Sequence, residues 1–189
     1  MLFSGLPFLY YFLPAVLVCY FAAPRKLKNA VLFVFSLIFY GWGEPRYIAL
    51  MIVSIFSGFV FALMIEKKQN KKSGFILMWI SVAISLSFLL IFKYADFLIE
   101  NVNQLPVVSL PLSKLSLPIG ISFYTFQIIS YTVDVWRGDT KAQRNIISFG
   151  TYVSLFPQLI AGPIVRYTDI ERELQERKHS VTLAASGIQ

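Results

Sequence analysis

The sequence predicts an all-α, polytopic helical membrane protein, and three observations carry that prediction. Of its 189 residues, 57% are hydrophobic and only 14% are charged, with a mean hydropathy of +0.65. Soluble domains carry about a quarter charged residues. Apolar runs near the length a bilayer demands, about 18–20 residues, recur along the chain. The charges gather in short clumps between those runs instead of covering a surface. The net charge of +7 does not point to nucleic acid: Lys and Arg sit beside the apolar runs, where they set topology. Neither an arginine-rich helix nor a zinc-finger spacing is present.

Met1–Ala22 is the first span. No basic residue precedes it, and Pro7 and Pro14 interrupt it, so it is read as a retained helix and not a cleaved signal. Arg25, Lys26 and Lys28 follow in a tight loop. Ala30–Trp42 is a second run of only 13 residues. It would be about 20 Å long against a hydrocarbon layer of about 30 Å, so Asn29 and Gly43 extend it or the bilayer thins there. The turn Gly43-Glu44-Pro45-Arg46 leads into a third span, Tyr47–Ile65. Beyond the basic stretch Glu66–Lys72, Phe75–Phe92 is a fourth span with almost no polar residue. Lys93–Gln104 is amphipathic and is expected to lie flat at the surface. Leu105–Leu117, holding Pro106 and Pro111, is a loop. Pro118 is expected at a helix start, and Ile119–Trp136 is a fifth, unusually polar span. The prediction is thus about five spans, followed by a broken segment.

That segment, Ile146–Val165, is apolar but interrupted by Pro157 and by Gly162-Pro163. The loops alternate in Lys and Arg: rich at 24–29, 66–74 and 137–145, poor at 43–46 and 93–117. The rich ones are placed in the cytoplasm and the N-terminus outside. If Ile146–Val165 crossed, Arg166, Arg172, Arg177 and Lys178 would lie outside and break the alternation. A segment that dips in and returns keeps both basic flanks cytoplasmic. Broken backbone at membrane depth persists only where protein or a wet cavity satisfies it, so the dip is expected to be buried and to line a pocket. An ordinary kinked span is the competing reading, since Asp169, Glu171, Glu173 and Glu176 offset the cations. Residues 166–180 form an amphipathic cytoplasmic segment, for which contact with anionic lipid is the first expectation.

Gly120, Tyr124, Gln127, Tyr131 and Asp134 are spaced four, three, four and three, which places them within about 80° on one face of a helix. Such a stripe faces the bundle interior, either lining a substrate path or joining neighbouring helices. Asp134 lies near the helix end beside Trp136, where Arg137 is expected to pair with it. His179 sits among Arg177, Lys178 and Ser180 without an orienting partner and reads as a solvated surface residue. Cys19, the single cysteine, allows no internal disulfide and no cysteine metal site, and reads as a buried, inert thiol. No metal cluster, phosphate loop, paired-carboxylate site or nucleophile elbow is visible.

The runs LPIGISFYTFQIISYTVDVWRG (Leu117–Gly138) and FPQLIAGPIVRY (Phe156–Tyr167) resemble the membrane-bound O-acyltransferase family, in its bacterial branch that acetylates alginate and other exopolysaccharides. MLFSGLPFLYYFLP, LIFYGWGEPRYIAL and FKYADFLIENVN resemble that branch in the same order. The resemblance implies the N-terminal part of that fold and acyl transfer across a membrane, from a cytoplasmic thioester such as acetyl-CoA to a hydroxyl outside. It implies no bound cofactor. The expected partners are membrane lipid, a polysaccharide acceptor and periplasmic or extracellular acetylation proteins. The expected place is the bacterial inner (cytoplasmic) membrane. D-alanyl transfer to teichoic acid is an alternative within the family, and a non-enzymatic transporter or channel an alternative outside it. The family's catalytic histidine belongs to a Trp-His motif in a later half, and Lys178 precedes His179 here, so no catalytic residue maps and the histidine is expected beyond Gln189. The 189 residues are read as one incomplete transmembrane domain. The resemblance places Tyr124, Gln127, Gln158, Gly162, Pro163 and Arg166 along the family's funnel, and the polar stripe adds Tyr131.

Overall fold

A computed structural model describes residues 5–103, 117–161 and 165–175. Among these, every element is helical. Helices α1 (Leu13–Ala22), α2 (Lys28–Gly43), α3 (Ile48–Lys67), α4 (Lys72–Asn103) and α5 (Ile121–Arg137) form the bundle. Three short helices follow: α6 (Ile146–Ser154), α7 (Phe156–Ala161) and α8 (Tyr167–Gln175). By length and composition, two stretches suffice to cross a membrane, Pro45–Lys67 and Lys72–Tyr94; Phe8–Ala22 and Ile146–Leu159 are shorter apolar helices.

Each helix has a local reason for its shape. Pro14 lacks an N–H and crowds the preceding turn. The chain answers with a π-helical turn over Phe8–Phe12, closed by Leu13 N–H donating to the Phe8 carbonyl. In α3, Gly58 lets α5 approach closely, since a Cβ there would stand 2.6 Å from Ile128 Cγ2. Helix α5 is bounded by two left-handed glycines, Gly120 (φ 74) and Gly138 (φ 86). Asn145 caps α6, its side chain accepting from the backbone N–H groups of Ile147 (2.8 Å) and Ser148 (3.4 Å).

The expectation that Lys93–Gln104 forms a separate helix flat on the surface is corrected: α4 runs unbroken from Lys72 to Asn103. Nothing between Phe92 and Asn103 stops it, since this stretch holds neither Pro nor Gly. Phe92 packs on Tyr47 at the start of α3 (ring centroids 5.6 Å), so the last eleven residues project about three turns beyond that level. The helix expected at Pro118 begins at Ile121, because Pro118 and the turn residues Ile119 and Gly120 precede it. Cys19, expected buried, is exposed on α1.

Two clusters make the interior. The larger joins α3, α4, α5 and α6 around Met51, Ile55, Tyr131, Val135, Phe149 and Tyr152. The smaller is an aromatic box of Phe8, Phe12, Phe39 and Phe156, with ring centroids 5.4–5.8 Å apart.

One end of the bundle is defined by hydrogen bonds. Asn29, at the start of α2, donates to Ser148 Oγ (2.9 Å) and to the Leu174 carbonyl (3.2 Å). Glu66, at the end of α3, accepts from the Ala142 N–H (3.1 Å) and pairs with Arg144. Gln69 Nε2 donates to the Val135 carbonyl at the end of α5 (3.2 Å). The basic loops near 25, 68 and 141 therefore share this end.

Candidate functional site

The interrupted segment is built from α6 and α7. Its interruption is local chemistry: Pro157 cannot donate to the helix, and Leu155 turns extended (φ −54, ψ 113). The exposed backbone is then supplied from outside the segment. Phe156 N–H donates to Ser36 Oγ of α2 (3.4 Å), and the Phe156 ring fills the aromatic box. Thr151 Oγ1 donates to the Asn29 carbonyl (2.9 Å) and the Ile147 carbonyl (2.7 Å). Ser148 to Ser154 are all buried. The expectation of a sheltered break holds at Pro157, which is half-buried. Gly162 and Pro163 lie outside the described residues, as does His179.

The chain enters and leaves this segment at the same end of the bundle. On the way in, Thr140 Oγ1 donates to Glu171 Oε2 of α8 (3.0 Å), and Gln143 Nε2 donates to Tyr167 Oη (2.8 Å). At the far point, α7 reaches the other end of α5, where a Cβ on Gly120 would touch Leu159 Cγ at 2.8 Å. On return, Tyr152 Oη donates to the Val165 carbonyl (3.0 Å). Tyr167 then packs edge-on against Tyr131 (4.9 Å) and Tyr152 (5.2 Å).

The polar stripe of α5 is buried: Tyr124, Gln127, Tyr131 and Asp134 are each at most 3% exposed. Their roles divide. Tyr131 Oη accepts from the Gln143 N–H at 2.7 Å and so holds the loop before α6. Tyr124 Oη, Gln127 Oε1 and Asp134 Oδ2 are buried with no hydrogen-bond partner in another element among the described residues, as are Tyr40 Oη of α2 and Gln158 Nε2 of α7. The Tyr40 and Tyr124 hydroxyls face each other from α2 and α5, and neither has another hydrogen-bond partner among the described residues. An unsatisfied buried polar atom costs about 1–3 kcal/mol, and native proteins keep few of them. Asp134 lies about 15 Å along α5 from Tyr124. The expected Asp134–Arg137 pair is not formed: Asp134 is buried and Arg137 is exposed. Arg166 is exposed at the start of α8.

Sequence reasoning missed Tyr40 and Ser36. Their spacing of four places them on one face of α2, both buried. The short apolar run around them carried that signal.

No family model and no solved structure matches the chain. Among curated proteins it is 35% identical over 192 residues to the "Probable alginate O-acetylase AlgI" of Pseudomonas syringae pv. tomato, covering 99% of this chain and 37% of that protein. The protein of the same name from Azotobacter vinelandii is 35% identical, with 99% and 38% covered. A "Peptidoglycan O-acetyltransferase" of Helicobacter pylori is 27% identical over 208 residues, with 95% and 40% covered. The chain thus spans little more than a third of the length of the curated relatives it matches. The likeness seen in five separate motifs extends along the whole chain: over nearly all of its length it is similar to proteins named as probable alginate O-acetylases.

Proposed function

We propose that the chain forms one wall of the acyl path in an O-acetyltransferase acting on a cell-envelope polysaccharide. In that reaction the thioester C–S bond breaks, an ester C–O bond forms to an acceptor hydroxyl, and the hydroxyl proton ends on the departing thiol. The donor is a cytoplasmic acetyl thioester such as acetyl-CoA. The base that takes the proton is expected in the part of the relatives that this chain does not match. The observation that carries the proposal is the set of buried polar atoms on Tyr40, Tyr124, Gln127 and Gln158 that no other element satisfies among the described residues, together with a sheltered break in the backbone. A polar acyl carrier cannot enter hydrocarbon cheaply, and such atoms offer it hydrogen bonds inside the bundle. The 35% identity to alginate O-acetylases supports the chemistry. In this reading α1 to α5 cross the inner membrane, α6 and α7 dip in and return, and the basic end faces the cytoplasm with the N-terminus outside.

The peptidoglycan O-acetyltransferase relative favours a second acceptor, with the same acetyl chemistry. The test uses the longest natural protein that contains this chain. It is expected to move labelled acetyl to envelope glycan, and the fraction that retains label separates exopolysaccharide from peptidoglycan. Tyr124→Phe and Gln127→Met are expected to lower transfer with little loss of stability, since Tyr124 Oη meets only the Tyr40 hydroxyl and Gln127 Oε1 has no partner among the described residues. Absence of transfer, or full activity in both variants, overturns the proposal.

A further inference from the structure

We propose that the cleft between the start of α4 and the end of α5 binds the phosphate headgroup of an acidic phospholipid. The cleft has a volume of about 510 Å3 and is lined by Asn70, Lys71, Lys72, Phe75, Trp136 and Arg137. That volume lies within the range of small-ligand sites, about 300–1,000 Å3. Asn70 adopts the left-handed conformation (φ 65) in the α3–α4 turn, just before the two lysines. Lys71, Lys72 and Arg137 are all exposed, and none forms an ion pair among the described residues. Three unpaired cations around a hollow fit a phosphate.

A second observation selects lipid over soluble phosphate. Trp136 packs on Phe75 (ring centroids 5.5 Å), and Phe75 on Trp79 one turn further into α4 (6.2 Å). Phe75, Ile76 and Trp79 are about half exposed, on a helix long and apolar enough to span a bilayer. An aromatic ladder therefore leads from the cations into the hydrocarbon-facing surface. A soluble anion has no use for that ladder, whereas a phospholipid lays its acyl chains along it. Tryptophan at this depth is also the residue type that anchors at headgroup level.

The test is native mass spectrometry of the full chain released from nanodiscs of equal phosphatidylglycerol and phosphatidylcholine. Phosphatidylglycerol is expected to be retained preferentially. Each Lys or Arg beside a headgroup contributes about fivefold, so Arg137→Gln alone lowers the preference about fivefold. The Lys71→Gln, Lys72→Gln, Arg137→Gln triple variant abolishes it. Phe75→Ala is expected to weaken retention while keeping the cations. The charge-matched Arg25→Gln, Lys26→Gln, Lys141→Gln variant, at other positions on the same end, is expected to keep the preference. Equal loss in both triple variants overturns the site in favour of diffuse charge. Loss of the preference in excess inorganic phosphate, or unchanged retention in Phe75→Ala, overturns the assignment to lipid. All substituted cations are exposed, and circular dichroism checks that helicity is kept.

Discussion

Tyr152→Phe tests whether the interrupted segment is tied back on itself. Tyr152 is fully buried in α6, and its hydroxyl donates to the Val165 carbonyl, 13 residues on, at 3.0 Å. Phenylalanine keeps the ring packing against Tyr167 and removes only the donor. A net hydrogen bond is worth about 0.5–1.5 kcal/mol, and side-chain hydrogen bonds between membrane helices average about 0.6 with a maximum near 1.7. A loss of about 1 kcal/mol raises the opening of α8 roughly fivefold. Hydrogen exchange followed by mass spectrometry on residues 167–175 reads that opening directly. Tyr167→Ala sets the upper limit. It removes a fully buried ring in contact with Tyr131 and Tyr152, and the hydroxyl that Gln143 reaches. Truncating a buried aromatic costs about 3–5 kcal/mol, so α8 exchange should accelerate at least a hundredfold while α3 and α5 stay protected. Unchanged α8 exchange in Tyr152→Phe, or equal acceleration in α3, refutes the tie.

Other consequences are as direct. In a Cys19→Ala background, Lys141→Cys and Thr168→Cys should both react with an impermeant maleimide from one side of the membrane and Arg46→Cys from the other; labelling of positions 141 and 168 from opposite sides ends the dip-and-return reading. Gly58→Leu forces side-chain atoms against Ile128, whose Cγ2 would stand 2.6 Å from the new Cβ. It should cost about 1–3 kcal/mol or more, read as a lower thermal midpoint, with part of the loss recovered by adding Ile128→Ala. Asn145→Ala removes the cap from the N–H groups of Ile147 and Ser148. It should cost about 0.5–2 kcal/mol, seen as faster exchange confined to the first turn of α6.

The helices were legible because bilayer solvation writes them as apolar runs. The Tyr47–Ile65 reading falls within two residues of α3, and Ile119–Trp136 within two of α5. The inward stripe of α5 was legible for the same reason: period 3.6 separates Tyr124, Gln127, Tyr131 and Asp134 from residues such as Phe126, which faces outward. What failed was anything that no repeating pattern sets. Arg137 lies three residues from Asp134, yet its side chain is exposed and makes no ion pair with the buried carboxylate. Separation along the sequence does not say which way each side chain turns. Likewise Lys93–Gln104 has the composition of a surface helix, yet without a Pro or Gly to end α4 the hydrogen-bond ladder simply continues. The candidate path was half legible: Gln127 and Tyr124 came from the stripe, while Tyr40 comes from a facing helix whose polar residues are too sparse to form a pattern.

Poor packing does not account for the unpartnered polar atoms. The structurally difficult groups nearby are all supplied: the N–H at the break by Ser36, the Val165 carbonyl by Tyr152, the Gln143 N–H by Tyr131, and the start of α6 by Asn145. The first three of those bonds join residues 12 to 120 positions apart, and two of them end on the segment that carries the break. A bundle that satisfies its backbone at such range could place a serine or threonine beside Tyr124 as easily as it places Ser36 beside Phe156. Instead Tyr40 and Tyr124 turn two buried hydroxyls toward each other with no other partner among the described residues, and Gln127 Oε1, one turn along α5, and Gln158 Nε2 of α7 have none. At about 1–3 kcal/mol for each unsatisfied atom, leaving them open weakens the fold. The proposed passage for polar acyl chemistry would account for a loss that falls on these residues and not on the backbone.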